Sequence, residues 1–352
     1  MGFFNFKRKT GNDLGVDLGT VNTLVYSVNK GIVLNEPSVV AIDQSKNPAK
    51  ILEVGHAARD MIGRTPEHIK AIRPLREGVI AEFEWAEAML KRFILKAMDQ
   101  RFLSIPPRIV IGIPSGVTEV ERRAVGDAAY STGARMVYLV DEPMAAAIGA
   151  GMPVDKPIGS MVIDIGGGTT EIAVLSLNGI VTSKSVRIAG DNLNMDIKNY
   201  LRQAHNLSIG DITAEDIKFR IGSALVGDEE DELEIRGLSV QSGLPQTVRL
   251  TSAEIRDCLQ GTLAQLIQGV KSVLEATPPD LASDIMDHGI MLTGGGALLA
   301  GLDEYIAREV DVPVHIAPDP LSCVVKGTEK ILTDKAYAKI LDYTQFDPHV
   351  IL

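Results

Sequence analysis

The run Gly15-Val-Asp-Leu-Gly-Thr-Val-Asn-Thr23 returns in altered form as Val162-Ile-Asp-Ile-Gly-Gly-Gly-Thr-Thr170. Each copy has an apolar lead-in, Asp-x-Gly, small hydroxyl or amide residues, then a β-branched strand. Asp17 and Asp164 stand 147 positions apart, room enough for a domain between them. A repeat at that spacing restricts the chain to a duplicated architecture whose halves each offer one turn to a shared ligand. The remaining pattern agrees. Short β-branched runs at 24–28, 32–33, 39–42, 109–113, 137–140, 161–165 and 172–177 alternate with helix signals, the mark of an α/β fold. Trp85, Met89, Phe93 and Ala97 recur at i+4. Thr118-x-x-Glu121 is a capping box for a helix that stops near Gly133, and Thr251-x-x-Glu254 opens another striped by Ile255, Leu259, Leu263 and Leu266. A fourth helix is predicted over 297–310. The acidic stretch 227–243 reads as loop and exposed strand in a peripheral insertion.

A strand–turn–strand with Gly and Thr at its tip leaves backbone N–H groups uncovered, and such a concave nest favours phosphate oxygens. The hydroxyls of Thr20, Thr23, Thr169 and Thr170 add donors. Asp17 and Asp164 repel phosphate, so their use there is to hold a hydrated Mg2+ that bridges to it. A third cluster, Leu292-Thr-Gly-Gly-Gly-Ala297, follows an apolar strand and opens a helix, where a nucleotide's phosphates or base can approach the backbone. The chain has no G-x-x-x-x-G-K-[ST], which excludes a P-loop enzyme, and no G-x-G-x-x-G after a first strand, which leaves a dinucleotide fold unsupported.

Length and charge set further bounds. The 352 residues correspond to roughly two domains. A net charge of −11 opposes non-specific nucleic-acid binding, so no nucleic acid is expected as a partner. Two cysteines, Cys258 and Cys323, fit a reducing compartment. The longest apolar candidate, 136–154, is interrupted by Asp141, Glu142 and Pro143, too soon for a transmembrane span. A cytoplasmic protein is expected. Three of the eight phenylalanines, Phe3, Phe4 and Phe6, precede Lys7, Arg8 and Lys9, a pairing that suits an anionic membrane surface. Tail packing or disorder is the alternative. Phe102-Leu103, before Pro106-Pro107, is a second apolar pair in an expected loop, with a core contact as its alternative.

The two Asp-x-Gly turns with the late Gly-Gly-Gly resemble the actin–Hsp70–sugar kinase superfamily. More narrowly, 17–23, 31–38, 71–75, 141–149, 164–171 and 291–299 resemble the MreB family of bacterial actins, across essentially the whole chain. Val21 departs from that pattern, where the family usually has Ala. The resemblance implies an actin-like (ribonuclease H-like) α/β fold: two duplicated domains, each a five-stranded sheet with helices, a nucleotide cleft between them, and a small subdomain inserted in each. It places subdomain IA at 1–32, 76–145 and 318–352, IB at 33–75, IIA at 146–180 and 251–317, and IIB at 181–250. It implies ATP and Mg2+ as cofactors. Asp17, Gly19, Thr20, Val21 and Asn22 would line the first phosphate turn, and Asp164, Gly166, Gly167, Gly168 and Thr169 the second. Glu215 and Lys218, i and i+3 on one helix face, would meet the adenosine; a surface ion pair is the alternative. Gly294, Gly295, Gly296, Ala297 and Leu298 would close over the base. Glu142 resembles the family's water-orienting residue, with Thr169 beside the γ-phosphate, and a helix N-terminal carboxylate is the bland reading of it.

The function so implied is a slow Mg-dependent ATPase forming membrane-associated filaments that direct cell-wall synthesis and cell shape. Antiparallel paired protofilaments, the inner face of the cell membrane, and the shape proteins RodZ, MreC and MreD enter as expected partners on the same footing. A small-molecule kinase of the superfamily is the alternative, disfavoured because a Glu stands where a catalytic Asp is needed. An Hsp70-like chaperone is disfavoured for want of residues after Gly296.

Overall fold

The structure is a computed structural model describing residues 13–98, 106–227 and 230–348. Its first strands are β1 (Leu14–Leu18), β2 (Asn22–Ser27) and β3 (Gly31–Pro37), joined antiparallel by tight turns. A small sheet follows, made of β4 (Val40–Asp43), β5 (Lys50–Val54) and β6 (Ile69–Ile72), with α1 (His56–Arg59) between the last two. The hairpin of β7 (Leu75–Arg76) and β8 (Val79–Ile80) leads into α2 (Phe83–Ala97), β9 (Arg108–Ile113), α3 (Glu119–Tyr130), β10 (Met136–Asp141) and α4 (Glu142–Ala150).

The plan then repeats. Strands β11 (Ser160–Ile165), β12 (Thr170–Ser176) and β13 (Gly179–Val186) form a second antiparallel run, followed by α5 (Gly190–Ala204). A second small sheet combines β14 (Leu207–Ser208), β15 (Glu232–Ser239) and β16 (Pro245–Thr251), with α6 (Asp211–Ile221) between its first two strands. After it come α7 (Ser252–Glu275), α8 (Pro279–His288), β17 (Ile290–Thr293), α9 (Leu302–Val310) and β18 (Val314–Ile316). The last elements are α10 (Cys323–Thr333), α11 (Ala338–Thr344) and β19 (Gln345–Phe346).

The large sheets run β19-β10-β9-β1-β2-β3 and β13-β12-β11-β17-β18. In each, a three-strand antiparallel run adds parallel strands beyond its first member: β9 and β10 beside β1, β17 and β18 beside β11. The duplication read from the two turns is thus a duplication of topology. The first sheet departs from the expected five strands, because the short β19 pairs along β10 as a sixth.

Both capping boxes form. Thr118 Oγ1 accepts from Glu121 N and Thr251 Oγ1 from Glu254 N, each at 3.3 Å, starting α3 and α7 where predicted. Met89 and Phe93 face the first core, with Trp85 and Ala97 packed at its edge; Ile255, Leu259, Leu263 and Leu266 enter the second. Helix α3 closes at Tyr130, three residues before Gly133, whose N–H donates to Tyr130 O in the turn that follows. The predicted helix over 297–310 is a correction. Residues Gly295–Leu298 form one 3-10 turn, and α9 begins only at Leu302. The break has a cause: Ala300 pairs with Ser223, its carbonyl accepting from Ala224 N, and Gly301 turns the chain at a φ of 69°.

Helices α4 and α10 join the halves beneath the sheets. A Cβ on Gly327 would strike Ala145 O, and one on Gly149 would strike Cys323 O, so the two helices cross at backbone distance. Their shared core draws Val110 and Val140 from one sheet and Val162, Ala173 and Leu175 from the other.

Candidate functional site

A cleft of about 440 Å³ lies above that joint, and both Asp-x-Gly turns open into it. Asp17, Gly19, Thr20, Val21 and Asn22 line it from the first half; Asp164, Gly166, Gly167, Gly168 and Thr169 line it from the second. The turns interlock. A Cβ on Gly168 would lie 2.8 Å from Thr20 Oγ1 and 2.9 Å from Glu77 N, and one on Gly167 would collide with the Val21 side chain. Glycine therefore serves close approach of the two halves as well as bare backbone N–H groups. Val21, the departure from the family pattern, fills the space over Gly167.

Each turn is braced differently. In the first, Ser38 Oγ donates to Gly19 O at 2.6 Å and shares a hydrogen bond with Thr23 Oγ1 at 2.9 Å, while Ser38 N donates to Val21 O. In the second, Gly166 N donates to Thr169 O. Gly190 N and Asp191 N, from the first turn of α5, donate to Gly166 O and Gly167 O. The positive end of α5 thereby abuts the second phosphate turn, which favours an anion there. These braces correct the expected donor set. Thr23 and Thr170 are fully buried, and Thr170 Oγ1 donates to Ile188 O at 2.6 Å. Side-chain alternation in β2 and β12 carries both hydroxyls into the protein. Thr20 and Thr169 remain at the cleft.

The floor is acidic. Glu142 opens α4 from the end of β10, with Pro143 behind it, and is 7% exposed; Asp164 is 6% exposed. Burial, reinforced by Asp164, pushes the Asp17 carboxyl up to about 8. Burial pushes Asp164 up to about 6, opposed by Thr293 Oγ1, which donates to Asp164 Oδ1 at 2.7 Å. Glu142 is raised well above its ordinary value by burial and then by Asp17, Glu171, Asp164 and Asp141. Glu171, which sequence reasoning missed, is pushed to about 7 by burial although Ser185 Oγ and Ser115 N both donate to it. Its signal lay in the hairpin register: Asp164 and Glu171 are direct cross-strand partners and share a face.

This donor set fits a cation that keeps most of its waters. Among the described residues no group of three or more His, Cys, Asp or Glu forms a ligand cage. Two opposed aspartates held near each other at raised pKa are what a hydrated Mg2+ bridging to phosphates would relieve.

On the opposite side of the cleft, Glu215 and Lys218 both project from α6. They are not each other's ion pair. Arg59 Nη2 donates to Glu215 Oε2 at 2.8 Å, and Lys218 Nζ donates to Gly190 O at 3.1 Å. Burial lowers the Lys218 ammonium pKa. Gly294, Gly295, Gly296 and Leu298 line the cleft, and Gly294 adopts a φ of 79°, where a Cβ would strike Ile165 O. Ala297 turns away and is fully buried in the second core. Sequence reasoning also missed Asp191, Phe219 and Leu321 in the lining; only Phe219, one turn from Glu215, carried a helical-spacing clue. Among the described residues no histidine lines the cleft. Phe3, Phe4, Phe6, Phe102 and Leu103 lie outside the described residues.

Residues 11–340 match the sequence model of the family described as MreB/Mbl protein. The chain belongs to that family. Over 329 residues it is 51% identical to the cell shape-determining protein MreB of Escherichia coli strain K12, covering 93% of this chain and 95% of that one. It is 51% identical over 320 residues to the cell shape-determining protein Mbl of Bacillus subtilis strain 168, covering 91% and 95%. Among solved structures, MreB5 of Spiroplasma citri bound to AMPPNP superimposes with a TM-score of 0.87 at 38% identity, covering 95% of this chain and 99% of that one. The MreB/Mbl chain described here therefore has the actin-like fold, with its two Asp-x-Gly turns facing one cleft. Among its described residues no helix is long and apolar enough to cross a membrane.

Proposed function

We propose that this MreB/Mbl protein is a slow ATPase of the cytoskeleton that assembles into membrane-associated filaments directing cell-wall synthesis and maintaining cell shape. The observation that carries the reading is the pair of interlocked turns at the floor of one cleft, with Glu142 buried beside both aspartates. The relatives are named for cell shape, and MreB5 was solved with ADP as well as AMPPNP, which supports ATP as ligand here. The small-molecule kinase reading has no comparable support.

In this reading the N–H groups at 19–22 and 166–169 cradle the phosphates, with Thr20 and Thr169 adding hydroxyl donors. Asp17 and Asp164 would hold a hydrated Mg2+, which would supply neutralisation of phosphate charge. The Glu142 carboxylate accepts a hydrogen bond from the attacking water and orients it. A carboxylate that only positions water makes turnover slow. Glu215 and Lys218 take the adenosine side, and Gly294, Gly295, Gly296 and Leu298 close over the base.

The same reading carries the four-part division into 1–32, 76–145 and 318–352; 33–75; 146–180 and 251–317; and 181–250. It also carries antiparallel homopolymers, the inner membrane face as location, and RodZ, MreC and MreD as partners. Two weak apolar anchors, at 3–6 and 102–103, would be multiplied along a filament by avidity. Deleting residues 2–8 should then cut co-sedimentation with anionic liposomes; undiminished binding would remove that anchor.

High-speed sedimentation of pure protein with Mg-ATP, Mg-ADP or neither, with phosphate read from the same tubes, tests the whole. Nucleotide-dependent pelleting with slow phosphate release is the expected result. Soluble protein in every tube, with and without liposomes, would refute the filament reading.

A further inference from the structure

Outside the phosphate turns, two partly buried ion pairs join the halves across the cleft and use residues that line it. Arg59, the last residue of α1, reaches Glu215 on α6, 156 positions away, at 2.8 Å. Arg73, directly after β6, places Nη1 3.2 and 3.3 Å from the two carboxylate oxygens of Asp191 at the start of α5. Both cations come from segments adjoining the small sheet of the first half, and both anions come from the second half. Neither pair can be satisfied unless the walls stand close; a third pair between the halves, Arg187 with Glu77 at 4.0 Å, runs with the opposite polarity and is far more exposed.

Both anions also belong to the cleft lining, whereas neither arginine does. Glu215 uses Oε2 for Arg59 and has a second oxygen to offer the ligand. Asp191 donates its backbone N–H to the second phosphate turn. Between them, Lys218 is held against Gly190 O and feels Glu215, Asp191 and Arg73 together.

We infer that Arg59 and Arg73 are nucleotide-retaining positioning residues: they orient Glu215 and Asp191 from across the cleft, and a bound nucleotide leaves only when both pairs part. The inference rests on the adenosine-nucleotide reading of the cleft. The side chains of the Arg59–Glu215 pair are 35% and 17% exposed, so the pair is partly desolvated and stronger than an open surface bridge, yet still sensitive to salt.

The test is dissociation of a fluorescent ATP analogue from the full-length protein, chased with excess unlabelled ATP, at low and high salt. Arg59→Ala should release the analogue about fivefold faster, the fold-change that corresponds to one pair worth about 1 kcal/mol. Arg73→Ala should accelerate release by a similar factor, and the double variant by more than either. Arg59→Lys should recover part of the retention. Wild-type release should quicken as salt rises, while the double variant should respond far less, which a merely structural role would not produce. Wild-type release rates in all three alanine variants, or an unchanged salt response in the double variant, would overturn the clasp while leaving the nucleotide site standing. Failure of the wild type itself to bind the analogue would instead sink the nucleotide reading on which the clasp rests.

Discussion

Asp17 and Asp164 hold equivalent places in the two halves of a duplicated fold, yet their carboxyls are pushed to about 8 and about 6. Repulsion from Asp164 adds to the rise of Asp17, and the neighbouring parallel strand supplies a donor to Asp164 alone. Asp164 lies in register with Thr293 on β17, whose hydroxyl donates to it. Asp17 lies in register with Gly112 on β9, which has no side chain to donate. Gly112 is glycine for a reason visible in the structure: a Cβ there would lie 3.6 Å from Glu142 Cγ and 2.8 Å from Val324 Cγ1. The first half has no supporting hydroxyl at this position, and the space is taken by Val324, with Glu142 in ordinary contact beside it. The second half keeps the hydroxyl. The two turns read alike in sequence, yet their aspartates have different neighbours.

The largest effect follows from the side that carries Glu142. Glu142→Ala should abolish phosphate release, by at least about 100-fold, while ATP binding persists, because the proposed role of the residue is to orient water and the substitution leaves both glycine turns intact. Single-turnover phosphate release beside equilibrium nucleotide binding separates the two. Unchanged release would remove Glu142 from the reaction and erase the functional half of the comparison.

A smaller effect concerns Asp17 without nucleotide. Its folded value of about 8 exceeds its ordinary 3.8, so between those limits the folded state binds more protons than the unfolded chain. Stability must then fall as pH rises from about 4 to about 8 and level off above. Thermal melts of the nucleotide-free protein across pH 5 to 8 should show Tm dropping in the wild type and a flatter profile in Asp17→Asn. Parallel profiles would mean Asp17 is not the group that resists ionisation.

What the sequence made legible was local. The Asp-x-Gly turns, the capping boxes at Thr118 and Thr251 and the stripe of α7 all depend on residues a few positions apart, so spacing alone exposed them. The contacts that position the site join distant positions: Thr293 with Asp164, Gly112 with Val324, Arg59 with Glu215. They exist only once the strand order is known, and nothing in composition or periodicity signals them. The break before α9 was hidden for the same reason, since Ala300 leaves the helical path to pair with Ser223. Thr23 and Thr170 misled because their chemistry suits phosphate while their strand phase turns them inward.

The smallest effect addresses the second half directly. Thr293→Val keeps the shape of the side chain and removes the hydroxyl, leaving Asp164 buried without that donor. The cost should be about 1–3 kcal/mol in urea unfolding of the nucleotide-free protein. It should also depend on pH. At pH 8 Asp164, with its value near 6, is ionised and the lost bond is charge-assisted; at pH 5 the carboxyl is protonated and the hydroxyl matters less. The loss should therefore be greater at pH 8, and the Asp164 carboxyl should titrate nearer to the value of Asp17. An equal loss at both pH values would mean that Thr293 supports packing alone, and the contrast between the two aspartates would have to come from burial and not from the hydroxyl that one half retains.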